Sequence, residues 1–176
     1  MKITYLTHSI TYDNEADLAS GWNDVELSPE GIKRIKDYAS DFKLDDIDAV
    51  FVSDLQRAIT TAKLIFPSIT TRKLFIDWRL RECDYGDYTQ KPKSTVVDPM
   101  RINHINTPFP NGESYAVAME RMKSFIDDIK KKPYKHVIVI GSRATHYGLD
   151  IFIDGKTIED CLSHKFTWQP GWVYEV

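Results

Sequence analysis

Cysteine is scarce in this chain, with two in 176 residues. Cys83 and Cys161 are too few and too far apart for a disulfide framework or a cysteine-based metal site. Long apolar runs are missing too. Nothing approaches the roughly 18 consecutive apolar residues of a membrane span. The opening MKITYLTHS has no extended apolar stretch and no small-residue cleavage site, so it reads as a strand rather than a signal peptide. A surplus of positive charge is also absent: 23 Lys and Arg stand against 26 Asp and Glu, a formal net charge of -3. That balance argues against nucleic acid as the partner, which calls for a basic surface. It leaves room for a small anion in a locally positive pocket. No internal repeat, low-complexity tract, linker or acidic metal motif occurs. These absences predict a cytoplasmic protein with free thiols, no membrane contact, no metal and no cofactor.

What is present reads as one globular domain over residues 1–176. Hydrophobic content is 42% and charged content 28%, a mixture able to fill one sizeable core at this length. Residues 2–7, KITYLT, are rich in β-formers and run into His8. Residues 9–27 show little periodicity and read as a loop. Ser28-Pro29 opens a helix by capping and by proline at the first turn, with Ile32, Ile35, Tyr38, Ala39 and Phe42 at helical spacing. Residues 48–53 form a second strand, and the helix after Asp54 runs to Phe66, before Pro67. Residues 73–77 suit a third strand. The stretch from Arg79 to Arg101 lacks regular pattern, and a loop of that length usually has a function. A helix follows over 113–131. The run HVIVI (136–140) is the most hydrophobic strand and reads as central to a sheet. Gly141 breaks it, and another helix starts at Arg143. The tail FTWQPGWVYEV ends in an edge strand with aromatics packed inward. Strands alternating with helices predict a three-layer α/β/α sandwich around a mostly parallel sheet.

The residues able to do chemistry follow predicted strands. His8 follows the first, Arg57 lies in the helix after the second, and Ser142-Arg143 follow the last central one. Ligands of open α/β sheets bind at the carboxyl ends of the strands, so one pocket could collect them. A first helical turn after Gly141 would offer free N–H groups to a phosphate. Singly, each residue has an ordinary reading: a satisfied histidine, a solvated arginine, a loop carboxylate at Glu82. Their shared context makes the joint reading stronger than any one of them.

Residues 5–31, with His8, Thr11, Asn14, the Gly21-Trp22 pair, Leu27 and Gly31, resemble the opening segment of the histidine phosphatase superfamily, the phosphoglycerate-mutase-like fold. Ser53-Asp54-Leu55 with Arg57-Ala58 and Thr61-Ala62, Leu80-Arg81-Glu82 with Gly86, Asn111-Gly112-Glu113-Ser114, and His136 to Leu149 extend the resemblance to about residue 150. It implies His8 as the phospho-accepting nucleophile, Arg57 as a phosphoryl clamp and Glu82 as the proton donor. The chain also departs from the pattern. Thr7-His8-Ser9 stands where the family has Arg-His-Gly, and Ser142 stands where the second catalytic histidine belongs. Arg143 would then supply the guanidinium that Thr7 cannot, with Ser142, Asn14 and Thr7 as further substrate contacts.

The chemistry fits these residue types. Phosphoryl transfer needs a nucleophilic lone pair and positive groups on the equatorial oxygens, which neutral imidazole and forked guanidinium provide. A carboxylic acid can protonate the leaving alkoxide. The expectation is therefore a metal-independent phosphomonoester hydrolase acting through phospho-His8 on a small phosphorylated metabolite, with weakened activity. The alternatives are a phosphomutase and an impaired phosphate-binding or regulatory protein. His146, one helical turn beyond Ser142, is expected to pack against its neighbours rather than replace the histidine. A monomer is expected, with a homodimer as the other reading.

Overall fold

The structure, a computed structural model, describes residues 1–164 and 166–176. Five strands form one sheet: β1 (Lys2–Thr7), β2 (Ala49–Val52), β3 (Leu74–Ile76), β4 (His136–Gly141) and β5 (Trp172–Glu175). Their order is β3-β2-β4-β1-β5. The first four are mutually parallel, and β5 runs antiparallel along β1 at one edge. The expected mostly parallel sheet between helical layers is therefore the observed one.

Alternation along β4 explains why it reads as an unbroken apolar run. Val137 and Val139 face α5 (Tyr115–Lys130) and α6 (Arg143–Phe152), packing with Tyr5, Met122, Phe125 and Leu149. Ile138 and Ile140 face α2 (Pro29–Tyr38) and α3 (Gln56–Ile65), packing with Leu6, Ile35, Ala58 and Ala62. With both faces covered, no position on the strand can be polar without a buried partner. A third cluster lies under the long segment after residue 80, built from Tyr85, Val97, Phe109, Tyr115, Met119 and Tyr147.

Two segments depart from the pattern expected of the sequence. Residues 9–27 contain a single helical turn, α1 (Tyr12–Glu15), capped by Thr11, whose hydroxyl accepts from Asn14 N at 3.2 Å. The helix from Pro29 stops at Tyr38 rather than reaching Phe42. Phe42 is in extended backbone and packs edge-on against Phe66 at 6.2 Å, so its apolar side chain is half-buried against the core without continuing the helix. The tract after Arg79 holds short turns, including α4 (Asp98–Met100), and α7 (Ile158–Ser163) precedes the tail.

Candidate active site

β1 and β4 end side by side. Thr7 pairs with Gly141, and the next residue keeps the link, with His8 N donating to Gly141 O at 2.9 Å. His8 and Ser142 thus leave the sheet as neighbours at its carboxyl edge. The loop after His8 is held by α2. Ser9 Oγ donates to Gly31 O at 2.7 Å, and Ser28 N donates to Ile10 O at 3.0 Å. Only glycine fits at 31, because a Cβ there would lie 2.0 Å from Ile10 O.

His8 Nδ1 lies 2.8 Å from Ser9 O. A carbonyl only accepts, so Nδ1 carries the ring proton and Nε2 keeps its lone pair. Burial, reinforced by the charge of Arg57, pushes the imidazole pKa down to about 3. The ring is therefore neutral at physiological pH, the state a nucleophile requires.

A cleft of about 550 Å³ opens over this edge. Thr7, His8, Asn14, Glu82 and Arg143 border it. Arg34, Lys93 and Arg101 join them, so four cations face the carboxylates Glu82 and Asp98. Asn14 Oδ1 is taken by Thr11 N at 3.1 Å, which leaves the Asn14 amide N–H groups for a ligand.

Arg57 and Ser142 are not on the cleft surface. Arg57 is 1% exposed. Its Nη1 donates to Asn23 O and its Nη2 to Gly21 O, both at 2.7 Å. Ser142, equally buried, is the N-cap of α6. Even so, four buried side-chain polar atoms among the described residues lack a partner, and three belong to Thr7, Arg57 and Arg143. Orphaned buried polar atoms are rare and mark strain or an absent ligand.

The expectation of free N–H groups at the start of α6 holds only in part. Thr145 Oγ1 accepts from Ser142 N at 3.0 Å, and Glu82 Oε1 accepts from Ala144 N at 3.2 Å. Glu82 also accepts from Cys83 N at 2.8 Å. The carboxylate that borders the cleft thus caps the helix that an anion would otherwise cap. Tyr5 adds to this arrangement, its hydroxyl donating to Ser142 O at 2.6 Å.

Several positioning groups carry no simple signal in the sequence. Arg121, on α5, donates to Arg79 O at 2.5 Å, Arg81 O at 2.9 Å and Glu82 O at 2.9 Å, and pairs with Glu113 at 2.5 Å. Trp22 Nε1 donates to the same Glu82 carbonyl at 2.8 Å. Arg101, buried, donates to Tyr115 Oη at 2.7 Å and to Tyr147 Oη at 3.3 Å. An arginine amid Met119, Met122 and Phe125 was the one available clue to Arg121. His146 packs as expected, stacked on Tyr5 at 5.2 Å, and does not border the cleft. Among the described residues no three His, Cys, Asp or Glu side chains come together to hold a metal ion, and no helix is long and apolar enough to cross a membrane.

Comparison with known proteins agrees with this layout. Residues 5–149 match the model of the histidine phosphatase superfamily (branch 1). A Hydrogenobacter thermophilus protein provisionally named phosphoserine phosphatase 2 is 27% identical over 168 residues, covering 91% of this chain and 82% of that protein. The 2,3-bisphosphoglycerate-dependent phosphoglycerate mutase of Streptococcus mutans is 34% identical over 176 residues, covering 90% of this chain and 76% of the mutase. Among solved structures, the alpha-ribazole phosphatase of Shigella flexneri superposes with a TM-score of 0.81 at 21% identity, over 96% of this chain and 87% of that one, which speaks to the fold. The chain belongs to the histidine phosphatase superfamily, branch 1, among relatives named as phosphatases and as phosphoglycerate mutases.

Proposed function

We propose that this protein hydrolyses small phosphomonoesters through a phosphohistidine on His8, at a reduced rate. The observation that carries the reading is the state of His8. Its Nδ1 is committed to Ser9 O, and its Nε2 keeps a lone pair on a neutral ring bordering a cationic cleft. In the first step Nε2 attacks phosphorus and the ester P–O bond breaks, its electrons leaving with the alcohol oxygen. Glu82, on the same cleft and protonated when the phosphate dianion lies beside it, would give that oxygen a proton. In the second step water attacks phosphorus, the N–P bond breaks, and the water's proton returns to Glu82. Arg143 and Arg101 would carry the phosphate charge from the cleft surface. Arg57 would act from behind, through its charge and its unpartnered Nε.

The rate should be low, because a transition-state donor is missing. Loss of one such donor typically costs about 100- to 1000-fold. A second reading, phosphate binding without turnover, draws on the same facts: Ser142 is buried, and Glu82 is already engaged with two backbone N–H groups. Phosphate release from a panel of phosphomonoesters separates the two. Slow release that disappears in His8→Ala and rises in Ser142→His supports hydrolysis. Phosphate binding with no release by either protein supports the binding reading. Release unaffected by His8→Ala would refute both.

A further inference from the structure

A second cavity, about 320 Å³, adjoins the cleft. Arg143, His164 and Phe166 border both spaces. Its size sits at the lower end of small-molecule sites. Its walls combine the rings of Tyr147, Phe166, Trp172 and His146 with charged side chains.

His146 is held by a relay that fixes which nitrogen carries its proton. Lys156 Nζ lies 3.1 Å from Asp150 Oδ1. The Tyr174 hydroxyl lies 2.8 Å from that same oxygen and 2.8 Å from His146 Nε2. The hydroxyl has one proton to give, and the carboxylate paired with Lys156 can only accept. The proton therefore goes to Asp150, and His146 Nε2–H donates to Tyr174 Oη. His146 Nδ1 is left as an acceptor that makes no hydrogen bond among the described residues. Tyr5 stacks on the ring at 5.2 Å, and Trp172 lies against it at 4.2 Å. Burial pushes its pKa down to about 4, so the acceptor persists at neutral pH. Among the described residues, Arg143, Lys156, Asp150 and Asp160 also border the cavity. Aromatic faces beside an imidazole nitrogen left as an acceptor suit a flat ring with an N–H donor on its edge.

We infer that this cavity binds the alcohol portion of the substrate, a planar nitrogen heterocycle donating an N–H to His146 Nδ1, while its phosphate occupies the His8 cleft next door. The inference rests on the reading of the His8 cleft as the phosphate site. The substrate class is then a phosphomonoester of a heterocycle-bearing alcohol, spanning the Arg143 side chain. The shared border residues are what join the two spaces into one elongated site.

Calorimetry on the full chain tests the two halves separately. Adenosine and cytidine, each with a planar ring and an amino donor, probe the cavity. Inorganic phosphate probes the cleft. His146→Phe keeps a flat ring and removes the acceptor. Trp172→Leu removes one aromatic wall at a half-buried position that borders the cavity and not the cleft. Loss of the hydrogen bond in one variant and of a ring contact in the other predicts nucleoside affinity lower by about tenfold in each, with phosphate affinity within about twofold of the parent. Should His146→Phe fold poorly, Trp172→Leu gives the same comparison. Absence of nucleoside binding, or binding indifferent to both variants, overturns the inference while leaving the phosphate site intact. Nucleoside binding that responds to the variants in a protein that ignores phosphate leaves the cavity standing and removes the His8 reading instead.

Discussion

Replacing Arg121 with Met tests how the Glu82 segment is held. Arg121 is 6% exposed and its guanidinium is surrounded by acceptors. It donates to the carbonyls of Arg79, Arg81 and Glu82 and pairs with the Glu113 carboxylate. Methionine fills a similar volume with no donor. It strands three carbonyls, of which only Glu82 O keeps another partner, Trp22 Nε1. It also leaves Glu113 with little solvent, since its side chain is 11% exposed. Breaking a buried pair from one side costs about 3–5 kcal/mol. With a urea m-value of about 2 kcal/mol/M, the unfolding midpoint should fall by about 1.5–2.5 M. Adding Glu113→Gln removes the stranded charge and should recover part of that loss, although Glu113 also accepts from Asp84 N. Urea unfolding followed by tryptophan fluorescence reads both effects. A shift below about 0.5 M for Arg121→Met, equivalent to about 1 kcal/mol, would refute the account of this clamp.

The remaining predictions are narrower. Arg143→Ala should weaken phosphate binding by about 10- to 150-fold, the loss of one charged contact of about 1.5–3 kcal/mol, and unchanged affinity by calorimetry would reduce Arg143 to a wall residue. Gly31→Ala should destabilise by about 1–3 kcal/mol despite alanine's better helix propensity, because its Cβ would collide with Ile10 O; a thermal midpoint equal to the parent's contradicts this. The pH dependence follows from two neutral imidazoles, His146 in the interior and His8 at the floor of the cleft. The folded-state pKa of His146 is lowered to about 4 and that of His8 to about 3. The unfolded chain binds those protons near pH 6.5. Their contribution is present above that pH and is lost as pH falls toward the folded values, by up to about 1.4 kcal/mol per pH unit for His146. Urea midpoints measured from pH 7 to pH 5 should fall less steeply in His146→Phe, and parallel curves would contradict the assignment.

Much of the architecture was legible because the signals are local. HVIVI marked the central strand through its composition, and Ser28 marked the start of α2 through capping. The order of strand-end residues pointed to His8, Glu82 and Arg143, which do border one cleft. What escaped the sequence depends on distant partners. Glu82 reaches the N–H of Ala144, 62 positions away, and so takes the helix terminus that spacing alone left free. Arg121 serves a segment 39 to 42 positions before it. Arg57 occupies the expected helix, yet carbonyls of Gly21 and Asn23 draw its guanidinium below the surface. Nothing in spacing encodes which side of a helix those carbonyls will approach. Arg101 gave no cue because its partners are the hydroxyls of Tyr115 and Tyr147, brought near only by packing of α5 and α6.

The measurement closest to the central claim is phosphoprotein trapping. The protein is incubated with a phosphorus-labelled phosphomonoester, quenched in alkali, where phosphohistidine survives, and mapped by mass spectrometry. The account predicts an acid-labile label on His8, at Nε2 because Nδ1 is engaged with Ser9 O. It also predicts that label and turnover vanish together in His8→Ala. A label on another residue, or turnover that persists without His8, would contradict it.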